Sequence, residues 1–91
     1  MNFEWDANKA QTNLEKHGVS FELATLIFTD SERVTVKDTR QDYGENRSII
    51  LGQVEGRVLV VVTTERDANQ IIRIISARKA NKRERKHYDN R

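Results

Sequence analysis

The chain contains no cysteine and no proline, and only four glycines in 91 residues. Without cysteine, a disulfide scaffold, a thiolate metal site and a thiol nucleophile are excluded. The glycines (Gly18, Gly44, Gly52 and Gly56) are scattered singly, so no Gly-rich loop is present to cradle a phosphate. No apolar run approaches the roughly 20 residues needed to cross a bilayer. The opening Met1-Asn2-Phe3-Glu4-Trp5-Asp6 lacks the basic and apolar regions of a signal peptide, which predicts a cytoplasmic location with no membrane partner. His17 and His87 stand far apart with no metal-ligand spacing near either. A GxSxG elbow and an SxxK pair are missing too. These absences argue against a metal hydrolase, a nucleotide-binding enzyme and a serine hydrolase, and no cofactor or metal is expected.

What remains is a polar sequence, 36% apolar and 33% charged, of a length that makes a single domain over residues 1–91. Its charge is uneven. Arg78 to Arg91 holds seven Lys/Arg against two Asp/Glu, a net +5, whereas Met1 to Ala77 holds nine against twelve, a net −3. A field of this kind at one end of a small molecule suits a polyanion or an acidic protein, although a solvated terminal helix has the same composition.

Local patterns give the elements. Asp6 is placed to cap a first helix with Ala7, Ala10, Leu14 and His17 on one face, and Gly18 ends it. Ser20 caps a second, roughly Phe21 to Phe28, built on Phe21, Ala24, Ile27 and Phe28. The period then changes to two. Arg33–Lys37 alternates as an edge strand, and Asp38 to Glu45 is a polar loop. Arg47–Leu51 is a second strand and Glu55-Gly56 a hairpin turn. Val58–Thr64, apolar on both sides, predicts a central strand covered on both faces, and Gln70–Ser76 a fourth strand. Ser76 would then cap a last helix from Ala77 to Asp89, with little apolar surface. The expected fold is α+β, ordered α-α-β-β-β-β-α around a small antiparallel sheet.

Arginines stand in unusual places. Arg73 interrupts Ile71-Ile72-Arg73-Ile74-Ile75, where a lone buried charge would cost several kcal/mol. The strand face bearing it is therefore a partly open cleft, or holds a carboxylate. Its structural explanation is a buried pair with Glu65 or Glu22; its functional one is phosphate recognition by a planar guanidinium. Arg47, Arg66 and Arg78 sit at strand ends from which all four can converge on one sheet edge. His17 has a bland reading as a packing histidine, and Tyr88 as the aromatic anchor of the last helix.

Phe3-Glu4-Trp5-Asp6, with Lys9, Asn13, Lys16-His17-Gly18-Val19 and Phe21-Glu22, resembles the opening of the BrnT toxin family. Gly56–Val61, Thr64-Glu65-Arg66, Arg73–Ala80, Glu84-Arg85 and Tyr88 resemble the rest of it, in order and at matching spacing. The least typical stretch is Ser31 to Glu45. The resemblance implies a RelE/ParE-like fold and a small cytoplasmic ribonuclease that blocks translation. It also implies a partner, a BrnA-type antitoxin with a ribbon-helix-helix domain, through which alone operator DNA would be bound.

Metal-free RNA cleavage needs the 2′-hydroxyl deprotonated, the phosphorane charge stabilised and the 5′-oxygen protonated. Arg73, Arg78 and Arg66 are the expected phosphate ligands. Arg47, Lys16, Lys79 and Arg83 would hold the RNA strand. Glu65, His17 or Tyr88 would move protons, and the sequence does not single out the base. The alternatives are a non-catalytic inhibitor of the same fold acting on a protein such as gyrase, and a small RNA-binding module. The latter is disfavoured by the lack of the aromatic stacking pairs of known RNA-binding surfaces.

Overall fold

A five-stranded sheet carries the molecule, with strands in the order β1 (Asn2–Glu4), β5 (Ile71–Lys79), β4 (Arg57–Arg66), β3 (Arg47–Val54) and β2 (Val34–Lys37). The computed structural model describes residues 1–66 and 70–91. The elements are β1 (Asn2–Glu4), α1 (Ala7–His17), α2 (Phe21–Ala24), β2 (Val34–Lys37), β3 (Arg47–Val54), β4 (Arg57–Arg66), β5 (Ile71–Lys79) and α3 (Lys82–Asp89). Strands β2 to β5 form the expected antiparallel meander. The expected all-antiparallel four-strand sheet is corrected by β1, which pairs parallel to β5 with Glu4 opposite Arg73. Three residues are too few to show a period, and the partner of β1 lies near the other end of the chain.

The helix starts follow local chemistry. The Asp6 carboxylate accepts from the Lys9 N–H at 3.0 Å, and the Gly18 N–H closes α1 on the Leu14 carbonyl. Ser20 caps α2, which tightens after one turn into a 3-10 turn over Thr25–Thr29. The inward face of α1 is not the expected one: Leu14 is 43% exposed, and Asn13 is buried at 7%. A register skip leaves Ile75 unpaired in β5, and β1 stops at Glu4, so the β5 edge beyond is open. Asn13 satisfies that edge. Its amide nitrogen donates to the carbonyls of Ala77 (2.7 Å) and Val19 (2.9 Å), and its oxygen accepts from Ala77 N–H (3.2 Å).

The main core lies between α1, α2 and one face of the sheet, built from Val19, Phe21, Ala24, Ile27, Ile50, Val54, Leu59, Val61, Ile74 and Ala77. Gly52 lets the 3-10 turn approach β3; a Cβ there would stand 2.7 Å from that of Ile27. Glu55 and Gly56, with φ of 52° and 77°, make the two-residue turn between β3 and β4. β4 is buried on both sides, as Leu59, Val60 and Val61 show.

The last helix differs from expectation. Ala77, Arg78 and Lys79 pair with Val61, Val60 and Leu59, so β5 continues where a helix was expected and Ser76 caps nothing. The cap is Asn81, in a capping box with Glu84. Tyr88 anchors α3 to the second face of the sheet over Leu51 and Val60.

Candidate functional site

The second face is only partly covered by α3, and cross-strand pairing orders its residues in rows. One row reads Glu4, Arg73, Thr64, Arg47 across β1, β5, β4 and β3. The next holds Ser76, Val62 and Ile49, and the one after it Arg78, Val60 and Leu51. Thr64 and Val60 are four residues apart on β4, so the first and third rows are about 13 Å apart. A narrow apolar strip thus runs between the row of Arg73 and Arg47 on one side and Arg78 on the other.

Each arginine is held by a carboxylate. Glu4 receives Arg66 at 3.0 Å and Arg73 at 3.5 Å. The Arg73 side chain is 33% exposed, and its partner is Glu4 instead of the Glu65 or Glu22 expected for a buried pair. Arg78 donates two bonds of 2.7 Å to Glu84, which raises the guanidinium's pKa and lowers the carboxyl's. Arg40 donates to both oxygens of Asp38 (2.8 and 2.7 Å), and these bonds hold the Asp38 carboxyl well below the usual carboxylate range. Arg47 bonds Glu45 at 3.0 Å, and its guanidinium lies 4.1 Å from the centre of the Tyr43 ring. Arg40 and Arg78 share a cavity of about 330 Å³ with Ile49, Val62, Ser76 and Glu84.

Four of the sequence-predicted residues, Arg47, Arg66, Arg73 and Arg78, therefore reach this one face. Lys16 and His17 line a separate cavity of about 350 Å³ between α1 and β5, which meets the first at Ser76. Glu65 alternates to the opposite side of β4 from Thr64 and Arg66, away from the arginines. Lys79 lines a cavity beyond α3 with Arg57 and Arg85, and Arg83 is exposed on α3. Tyr88 is the anchor: it is buried, its hydroxyl donates to Asp30 Oδ2, and burial pushes its pKa up. Glu4, Asp38 and Arg40 also belong to this site, and no sequence pattern points to Glu4. The alternation of charge in Asp38-Thr39-Arg40 is the one local signal for the other two, in a segment whose composition is that of a polar loop.

Residues 5–84 match the family model described as ribonuclease toxin, BrnT, of type II toxin-antitoxin system. The chain belongs to the BrnT family. No curated protein matches it at a significant level. BrnT membership implies an antitoxin as partner. Among the described residues of this BrnT chain, no group of three or more His, Asp or Glu is placed to hold a metal ion, and no helix is long and apolar enough to cross a membrane.

Proposed function

We propose that this BrnT chain is a metal-independent endoribonuclease with a RelE-like fold, which blocks translation in the cytoplasm and is neutralised by a BrnA-type ribbon-helix-helix antitoxin. The observation that carries the catalytic reading is the row Glu4, Arg73, Thr64, Arg47, with Arg66 also on Glu4. In it a carboxylate stands between two guanidinium groups on an open surface, beside an apolar strip with Arg78 on its far side.

RNA lies along this strip with a phosphate at Arg73. Glu4 accepts the 2′-hydroxyl proton, and the 2′-oxygen attacks phosphorus. Arg73 and Arg66 stabilise the charge that grows on the phosphorane, an effect worth about 3–4 kcal/mol for one well-placed donor. The bond to the 5′-oxygen breaks, water protonates it, and a 2′,3′-cyclic phosphate and a 5′-hydroxyl end remain. Glu4 takes the place expected for Glu65, which points away. His17 stands at the other end of α1 from Glu4, beside Ile75 and Ser76, and Glu4 is therefore the residue assigned to the 2′-hydroxyl. His17 and Lys16 instead flank the RNA strand beyond Ser76, and Arg47 and Arg78 hold its phosphates.

The test is incubation of antitoxin-free protein with RNA in excess EDTA, with the ends of the fragments identified. Cleavage to cyclic phosphate ends is expected to persist, and Glu4→Gln to abolish it. Abolition by chelator with rescue by a divalent ion overturns the mechanism. Binding without cleavage would return the chain to the RNA-binding alternative.

A further inference from the structure

The loop between β2 and β3 has no role in the site expected from the sequence, yet its Arg40 lines the cleft. It is fastened from within. The Asp38 side chain is fully buried and accepts from the Arg40 backbone N–H as well as its guanidinium. The Asp38 N–H donates to the Arg47 carbonyl at 2.8 Å, which closes the loop on β3, and the Gly44 N–H donates to Asp42 at 2.9 Å. Tyr43 sits inside this frame, half-buried, with Arg47 against its ring and its hydroxyl helping to keep Asp38 ionised.

The chain has six aromatic residues, and the other five have structural work. Phe3, Trp5, Phe21 and Phe28 belong to the main core and Tyr88 to the smaller one, while Tyr43 belongs to neither. A ring fixed on two sides, outside both cores and next to a row of guanidinium groups, is placed for a planar ligand. None of the residues lining the cavity floored by Ile49 and Val62 is aromatic, and Tyr43 stands beside it, next to Arg47.

Resting on the reading of this face as an RNA cleft, we propose that Tyr43 is a stacking platform for one unpaired nucleobase, with Arg47 behind the ring and Arg40 taking the neighbouring phosphate. Stacking accepts any base because every base has a π-face, so the platform selects strand state and not sequence. In helical RNA the bases are already stacked within the duplex. The substrate class is therefore single-stranded RNA, or a loop with a base free to swing out.

The experiment uses a short RNA with every 2′-hydroxyl methylated, which cannot be cut, and an abasic sugar–phosphate strand of the same length. The wild-type protein is expected to bind the base-bearing strand about tenfold more tightly. Tyr43→Phe should keep that preference, and Tyr43→Leu should bind both strands alike with the salt dependence unchanged. Arg40→Gln should keep the preference while the slope of log affinity against log salt falls by about one. A wild-type protein with no preference, or a Leu variant that keeps it, overturns the assignment. So does a Leu variant that melts lower and weakens on both strands equally, since the ring is then a structural plug. If the wild type binds neither strand, the ribonuclease reading falls as well; if it cuts RNA and the Leu variant still prefers bases, only the role of Tyr43 falls.

Discussion

On the helix-bearing face of the sheet, the one buried amide of α1, Asn13, spends its hydrogen bonds on backbone groups that would otherwise be orphaned. On the other face, Arg73 and Arg78 are each met by a carboxylate, and each pair remains partly open to solvent. The first arrangement removes polar groups from consideration by satisfying them. The second keeps charge present and oriented, because a guanidinium pinned by one carboxylate still has N–H groups to offer a phosphate. Half-exposed pairs contribute little to stability. Substitutions on the two faces should therefore separate: one set should move melting temperature, the other activity.

The largest expected effect is on the open face. Arg73→Ala should lower RNA cleavage by about 10²–10³-fold, the usual loss for a transition-state donor, and leave the melting temperature nearly unchanged. An unfolded Arg73→Ala protein would break the distinction between the faces. The counterpart is Asn13→Ala, which leaves the Ala77 N–H and two carbonyls without partners at a buried site. It should cost about 2–4 kcal/mol in denaturant unfolding. Gly52→Ala forces a Cβ against Ile27 and should cost about 1–3 kcal/mol in the same measurement.

The smallest effect sharpens the comparison at α3, the element that joins the two faces. Tyr88→Phe removes one bond to Asp30 and should cost about 1 kcal/mol. Its pH dependence is the more telling readout. The Tyr88 pKa is raised above its ordinary 10.0, first by burial and then by the bond to Asp30, so the protonated phenol is favoured in the folded protein. Its contribution is complete below about pH 10 and lost as pH rises through the raised value. The Asp30 carboxyl is lowered below 3.8, against burial, by its bond from Tyr88 and by backbone N–H groups. Its contribution is present above that pH and lost as pH falls through the lowered value. Thermal melts across pH should show the alkaline loss in the wild type and a smaller one in Tyr88→Phe.

Much of the fold was legible because its signals are local. Asp6 and Gly18 bracket α1, Ser20 opens α2 and Glu55-Gly56 turns the hairpin, each through neighbours within a few residues. The misses all depend on distant partners. Ser76 and Asn81 are both good cap residues, and only the pairing of Ala77–Lys79 with Leu59–Val61 decides between them. Asn13 lies beside the expected apolar stripe and is drawn inward by an open strand edge 64 residues away. At the candidate site, the arginines stood out against apolar neighbours, but their carboxylates did not. Glu4 belongs to a strand of three residues, and Asp38 to a loop whose composition looks solvated.

The parallel pairing of β1 with β5 also has a consequence for when the site exists. The row Glu4, Arg73, Thr64, Arg47 draws on the first strand and the fifth, and Asn13 holds α1 to the last residues of that same strand. Contacts between such distant segments form late, since loop closure must precede them. A chain emerging from the ribosome amino-terminus first has Glu4 long before Arg73, and for most of its synthesis no complete row. For a chain of a ribonuclease toxin family, this order of assembly is a delay fuse: the row stays incomplete until the growing chain is almost finished.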